Sequence, residues 1–219
     1  MKTILFVQGL GMTKHEANNS FDEIAARLQQ AGFQPIQVNL LTDEHELSLH
    51  ERAKKVEELA AECKPDGIVA QSYGATTVLS ASLPTVKSQV FISPGLSMMN
   101  TIRQVFESRG VTINFNGDTS LPRSTGDITM VGKEFWTDLK HFDDVAHAKK
   151  VKIPTCIFHG DQDMKIPVDT VQTFFNAIPV INNKLKIFVG GDHGIVDVPR
   201  PMREEFLQDI VAWFKETLI

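Results

Sequence analysis

The 219-residue chain reads as an α/β protein: a three-layer α/β/α sandwich with a mostly parallel, doubly wound sheet of about six strands and a small cap insertion. Three observations carry this expectation. Short β-rich runs alternate with stretches of helical periodicity. Capping boxes and glycines punctuate the helical stretches. The rhythm breaks once, between about residues 96 and 150, and resumes afterwards. Residues 1–219 are therefore expected to form one domain, with the cap inserted at about 96–150.

Thr3–Val7 is the first strand. Ser20, followed by Glu23, offers a capping box for a helix whose Phe21, Ile24, Ala25 and Leu28 share one face, and Gly32 stops it. Residues 35–40 form the next strand. Ser48 and Glu51 make a second capping box, ahead of a buried stripe of Val56, Leu59, Ala60 and Cys63. A third strand, Gly67–Gln71, leads into a helix over about 73–83, and a fourth spans 89–93. After Pro94-Gly95 a helix turns Ile102, Val105 and Phe106 inward. A hairpin is expected between 111–115 and 127–131, with Asn116-Gly117-Asp118 and Leu121-Pro122-Arg123 as turn-rich links. The strand–helix alternation resumes with a strand at 154–159, a helix carrying Val171, Phe174, Phe175 and Ile178, and a strand at 185–189. A last helix runs over about 203–218 with Phe206, Ile210, Trp213 and Phe214 inward. A long excursion such as the insertion is usually functional, so it reads as a cap over the sheet edge.

Composition narrows the function classes. Hydrophobic residues make up 42% and charged residues 22%, as in ordinary globular domains. A net charge of −5 provides no basic field for phosphate backbones, which argues against nucleic acid as a partner. Two cysteines, Cys63 and Cys156, cannot build a disulfide framework and suggest reduced thiols in a cytoplasm. The apolar run after Lys2 is only about five residues, short of the roughly 7–15 of a signal peptide, and no stretch approaches a membrane span.

Ala70-Gln71-Ser72-Tyr73-Gly74 is the strongest chemical signal. It lies between a strand and a helix, where a tight turn holds a serine hydroxyl out above the carboxyl edge of the sheet. Small residues two before and two after are needed because the two backbones pass close; Ala70 and Gly74 meet that need. Serine also caps helices, so the pentapeptide alone is ambiguous. His159-Gly160-Asp161-Gln162-Asp163 closes a later strand. A carboxylate there can fix an imidazole's tautomer; Asp163 is the choice and Asp161, a candidate turn residue, the alternative. Gly190-Gly191-Asp192-His193-Gly194 follows the last strand and lets the loop place His193 over the sheet edge.

The three candidates lie beyond three different strands in the chain order Ser, Asp, His, the order of serine hydrolases built on open α/β sheets. His15, His45, His50, His141 and His147 read as surface groups, and His159 as a residue ordering its loop. An acyl-transfer site also needs oxyanion donors, each worth about 2.7–4 kcal/mol in comparable sites. The N–H of Tyr73 is one, and that of Leu10, in Gln8-Gly9-Leu10-Gly11, the second. That loop lacks the third glycine or the Gly-Lys-Ser of a nucleotide site.

On these residues the chain resembles the α/β-hydrolase superfamily over nearly its whole length, without the first two strands of larger members. Residues 127–131, then Gly132-Lys133-Glu134-Phe135-Trp136, and Ile153-Pro154 through Pro167 look like the bacterial feruloyl and cinnamoyl esterases and related serine esterases, which carry a small cap before the strand bearing the acid. The resemblance implies a Ser72–His193–Asp163 triad, oxyanion donors at Leu10 and Tyr73, no cofactor or metal, and a small-molecule ester substrate. It departs at Ala70, where glycine is usual, and at Gln8, where many members carry histidine.

Met98, Met99, Phe106, Phe115, Phe135 and Trp136 could line an apolar acyl or aryl pocket, with Met98, Phe135 and Trp136 as its substrate-binding members, or could be the cap's own core. A thioesterase or small peptidase on the same triad, and a catalytically silent binding protein, are the competing readings.

Overall fold

A computed structural model describes residues 1–41, 45–122 and 126–219. Strand and helix alternate through the first half: β1 (Thr3–Val7), α1 (Ser20–Gln30), β2 (Gln34–Gln37), a short β3 (His45–Glu46), α2 (Leu49–Cys63), β4 (Gly67–Gln71), α3 (Tyr73–Ser80) and β5 (Ser88–Ile92). The middle contains α4 (Met98–Ser108), β6 (Thr119–Pro122), β7 (Ile128–Val131), α5 (Lys133–His141) and α6 (Asp144–Ala148). Then come β8 (Thr155–Gly160), α7 (Val168–Ala177), β9 (Lys184–Phe188) and α8 (Arg200–Leu218).

Six strands form one sheet in the order β2-β1-β4-β5-β8-β9, with every neighbouring pair parallel. Successive side chains leave opposite faces of a strand, so the apolar strands supply two cores at once. Ile4, Phe6, Val69, Ile92 and Phe158 pack with Phe21 and Leu28 of α1 and with Phe206, Ile210 and Phe214 of α8. Leu5, Val7, Ile68, Ala70, Phe91 and Ile157 pack with α2, α3 and α7 through Val56, Ala75, Val78, Val171 and Phe174. This is the three-layer sandwich that the sequence predicts.

A second, three-stranded sheet in the order β3-β7-β6 lies with α4 and α5 and has its own apolar cluster, which includes Ile102, Phe106, Leu121, Val131 and Leu139. The expected hairpin partner of 127–131 is displaced. β6 pairs antiparallel with β7, Thr119 opposite Val131, whereas 111–115 forms no strand. Asn114 explains the displacement: its N–H donates to Thr119 Oγ1 at 2.9 Å, and its carbonyl accepts from Gly117, so the chain folds back before the ladder begins. Leu121 and Pro122 therefore lie in an edge strand, where a proline is tolerated; Arg123 lies outside the described residues. β3, contributed from outside 96–150, joins the smaller sheet in parallel through His45 opposite Met130 and Glu46 opposite Val131.

The Ser48–Glu51 capping box forms. The Ser20–Glu23 box does not. Ser20 is itself the first residue of α1, its hydroxyl is buried without a partner, and Glu23 is taken by Arg203 Nε at 2.8 Å. α3 stops at Ser80 rather than near Leu83: the backbone is already extended at Ala81, with φ −91° and ψ 150°. α8 starts earlier than expected, at Arg200, with Pro201 in its first turn. Cys63 is half-buried and Cys156 buried, and neither is bonded to the other. Among the described residues no helix is long and apolar enough to cross a membrane.

Candidate active site

Strand order reverses between β1 and β4: β2 lies to one side of β1, while β5, β8 and β9 extend beyond β4 on the other. The loops leaving β1 and β4 therefore meet at a switch point on the carboxyl edge, the place where open α/β sheets bind ligands. Ser72 sits there, between β4 and α3. Its φ of 51° and ψ of −124° are strained for a residue with a Cβ, and such strain persists only where the surroundings enforce it. Here they do. The Ser72 N–H donates to the Ile92 carbonyl at 3.0 Å, and the Ser72 carbonyl accepts from Gly95 and Ala75 at 2.8 and 2.9 Å. A Cβ on Gly74 would overlap the Val7 carbonyl oxygen, so only glycine lets α3 pass this close to β1. Ala70 is fully buried in β4, where its methyl joins the core shared with Leu5 and Val7.

Asp163 and His193 meet beyond β8 and β9. His193 Nδ1 donates to Asp163 Oδ2 at 2.7 Å, which leaves Nε2 as the ring's acceptor. Asp163 Oδ1 accepts from the N–H groups of Lys165 and Ile166 at 2.8 and 3.2 Å. Burial alone would raise the Asp163 pKa. The His193 hydrogen bond and charge, with those two N–H groups, outweigh burial and hold it below the ordinary carboxylate value. The Asp163 side chain is wholly buried, while that of His193 remains 15% exposed.

Asp161 does different work: its Oδ1 accepts from Gly190 N–H at 2.6 Å, tying the β8 loop to the loop that carries His193. The two loops touch so closely that a Cβ on Gly160 would overlap the Gly191 backbone. The Gly194 N–H donates to Ser93 Oγ at 3.0 Å, and Ser93 directly follows the Ile92 that holds Ser72. Arg203 Nη1 donates to the Ile195 carbonyl at 2.8 Å and anchors the far side of this loop to α8. The histidine loop is thereby fastened beside the turn that bears Ser72. Among the described residues, no hydrogen bond joins Ser72 Oγ to His193.

His159 is fully buried. Its Nε2 donates to the Ile166 carbonyl at 2.9 Å, and its Nδ1 faces Asp163 Oδ2 at 3.7 Å. Burial lowers its pKa, and His193 adds to this, against the opposing pull of Asp163 and the Ile166 carbonyl. His15, His45, His50 and His141 are exposed and His147 half-buried.

Leu10 and Tyr73 are buried in the cap cluster. Tyr73 packs against Phe135 at 5.5 Å between ring centroids, and burial holds its phenol well above the ordinary value despite the nearby Arg52 charge. Met98 lies against Gly95, next to the Ser72 carbonyl. Trp136 is one ring further out, in edge contact with Phe135, Phe106 and Phe115. Met98, Phe135 and Trp136 are 3%, 1% and 2% exposed, so all three belong to the cap's packed core. Among the described residues no three His, Cys, Asp or Glu side chains converge as a metal site would require.

Sequence reasoning passed over Arg52, Glu46 and Ser93. Arg52 stands four residues before Val56 and eight before Ala60, on the buried stripe of α2, and that spacing is the signal that could have found it. Glu46 and Ser93 carry no such local signal.

No family model matches the chain. A non-heme chloroperoxidase from Kitasatospora aureofaciens is 36% identical over 84 residues, 38% of this chain but only 26% of that protein's length. Among solved structures, Est1E from Butyrivibrio proteoclasticus with ferulic acid bound superposes with a TM-score of 0.79 at 15% identity, covering 100% of this chain and 90% of that one. A monoacylglycerol lipase from Paleococcus ferrophilus gives 0.75 at 19% identity, covering 98% and 94%. With its parallel sheet, its strand order and these full-length superpositions, the chain adopts the α/β-hydrolase fold.

Proposed function

We propose that the protein is a serine hydrolase that cleaves carboxylic ester bonds of a small molecule through an acyl-enzyme intermediate. The observation that carries this reading is the His193–Asp163 hydrogen bond of 2.7 Å, fastened beside a serine held at a strained strand-to-helix turn. With Nδ1 donating to Asp163, His193 Nε2 is the base that takes the Ser72 proton as Oγ attacks the carbonyl. The N–H groups of Tyr73 and Leu10 receive the oxyanion. His193 then protonates the departing alcohol, and water repeats the sequence on the acyl-enzyme. No cofactor enters this chemistry.

Met98, Phe135 and Trp136, packed in the apolar cluster around Tyr73, back the acyl side of the site as an apolar wall. An apolar acyl or aryl group suits such a wall. The neighbours agree in kind: one is a monoacylglycerol lipase and another was solved with ferulic acid bound. Purified protein should hydrolyse short p-nitrophenyl esters, and Ser72→Ala should abolish the activity. Unchanged hydrolysis by Ser72→Ala would remove Ser72 from the role of nucleophile. Matched thioesters and amides in the same assay separate esterase from thioesterase and peptidase.

A further inference from the structure

Arg52 is an arginine with no solvent exposure, paired with an equally buried carboxylate: its Nη1 donates to Glu46 Oε1 at 2.8 Å. Replacing such buried pairs by apolar residues is often neutral or stabilising, so stability alone does not account for it. What the pair holds is more specific. Arg52 Nη2 donates to the Gln8 carbonyl, Nη1 also reaches the Gly9 carbonyl at 3.4 Å, and Nε donates to Thr77 Oγ1 at 3.1 Å. Glu46 Oε2 accepts from the Gly11 N–H at 2.6 Å. The Gly9 carbonyl and the Leu10 N–H are opposite ends of one planar trans peptide unit, so a grip on the carbonyl aims the N–H the other way.

The same side chain also touches the residue that carries the second donor. The Arg52 guanidinium carbon lies 4.8 Å from the centroid of the Tyr73 ring, and Thr77, which Arg52 grips, itself donates to the Tyr73 carbonyl at 2.9 Å. Glu46 in turn belongs to β3, paired with β7 of the smaller sheet, so the cap is fastened to the same loop.

We propose that Arg52 and Glu46 are positioning residues: one buried ion pair aims the Leu10 N–H, buttresses the Tyr73 ring and locks the smaller sheet to that loop. The proposal rests on the serine-hydrolase reading for its effect on catalysis, but the bracing of the loop is measurable without it.

The test uses Arg52→Met, Arg52→Lys and Glu46→Gln, followed by p-nitrophenyl acetate kinetics and by amide hydrogen exchange of residues 8–12. Arg52→Met is expected to lower kcat about tenfold or more, with KM within about threefold, because only the transition state uses the donors. Exchange at 8–12 should accelerate about tenfold while the central strands exchange as in the wild type. Arg52→Lys keeps the charge without the fork and should recover only part of kcat. Glu46→Gln should fall between them.

A folded Arg52→Met with wild-type kcat and exchange overturns the proposal, as does an Arg52→Lys with full kcat. Should Arg52→Met fail to fold, Arg52→Lys decides: reduced kcat with faster exchange supports the brace, and wild-type values on both overturn it. If the wild-type protein shows no Ser72-dependent hydrolysis, the functional reading fails. Exchange at 8–12 then decides the bracing alone, faster exchange supporting it and unchanged exchange overturning it.

Discussion

His193 stands 30 positions beyond Asp163 in the chain, yet Asp163 Oδ2 accepts a hydrogen bond from His193 Nδ1 at 2.7 Å. Asp161, two residues nearer in sequence to β8, makes no such contact and instead holds Gly190 N–H. Two carboxylates in one loop thus have separate tasks, one orienting the imidazole and the other closing the loop.

This division predicts different losses. Asp163→Asn should lower kcat by about 10⁴-fold, as removal of the acid does in comparable triads, because the imidazole loses its tautomer. Asp161→Asn keeps an oxygen that can accept from Gly190 and should cost about tenfold or less. Steady-state kinetics of both variants on one ester check the assignment, and a larger loss at Asp161 would reverse it.

Ser72 predicts a trade of stability against activity. Its φ of 51° with ψ of −124° stores strain of about 1–3 kcal/mol, which glycine would not feel. Ser72→Gly should therefore be more stable than Ser72→Ala by about 1 kcal/mol after allowance for the freer unfolded chain. In a chain of this length that is a difference of about 2–4 °C in Tm. Both variants should be inactive. Calorimetry showing no difference between them would mean that the turn relaxes without cost.

The fold was legible because its physics is local and periodic. Phe21, Ile24, Ala25 and Leu28 share a face whatever surrounds them, and residues 4–7 supply both cores by simple alternation. The elbow at Ser72 was legible because only small residues fit there. What escaped depends on distant partners. The capping box at Ser20 was lost because Asn19 takes the cap position and Ser20 is already helical, while Arg203, far along the chain, holds Glu23. The hairpin shifted because Asn114 and Thr119 close a loop of their own. Arg52 shares the buried stripe of α2 with Val56 and Ala60, but its role there could not be read from that spacing. Its partners come from the β1 loop, β3 and α3, which no window of sequence brings together.

The cap predicts graded effects on substrate choice. Met98 lies beside the Ser72 carbonyl and Trp136 one ring beyond Phe135. Met98→Ala should shift kcat/KM toward longer acyl chains more than Trp136→Ala does. Trp136→Ala should instead cost about 3–5 kcal/mol of stability, since three aromatic rings pack on it. Octanoate-to-acetate ester ratios and denaturant unfolding separate the two effects. An equal shift in acyl preference would place Trp136 against the substrate.

His159 predicts a pH dependence of folding. Its folded-state pKa is depressed below the ordinary 6.5, chiefly by burial, so the unfolded chain takes up its proton first. The stability from keeping it neutral is complete above about pH 6.5 and is lost as pH falls from there toward the folded-state value. Asp163, also depressed, adds its loss only below the ordinary carboxylate value of 3.8. His159→Gln can still donate to the Ile166 carbonyl but does not titrate. Between pH 7 and 5 its unfolding free energy should fall less steeply than that of the wild type. Parallel curves from urea titrations would contradict the assignment.

The central claim is that Ser72 is a nucleophile made reactive by His193. Reaction with a fluorophosphonate, followed by peptide mapping in a mass spectrometer, tests it most directly. A single adduct on Ser72 in the wild-type protein, all but lost in His193→Gln, is the expected result. An adduct on another residue, or equal labelling of Ser72 without the imidazole, would contradict the account.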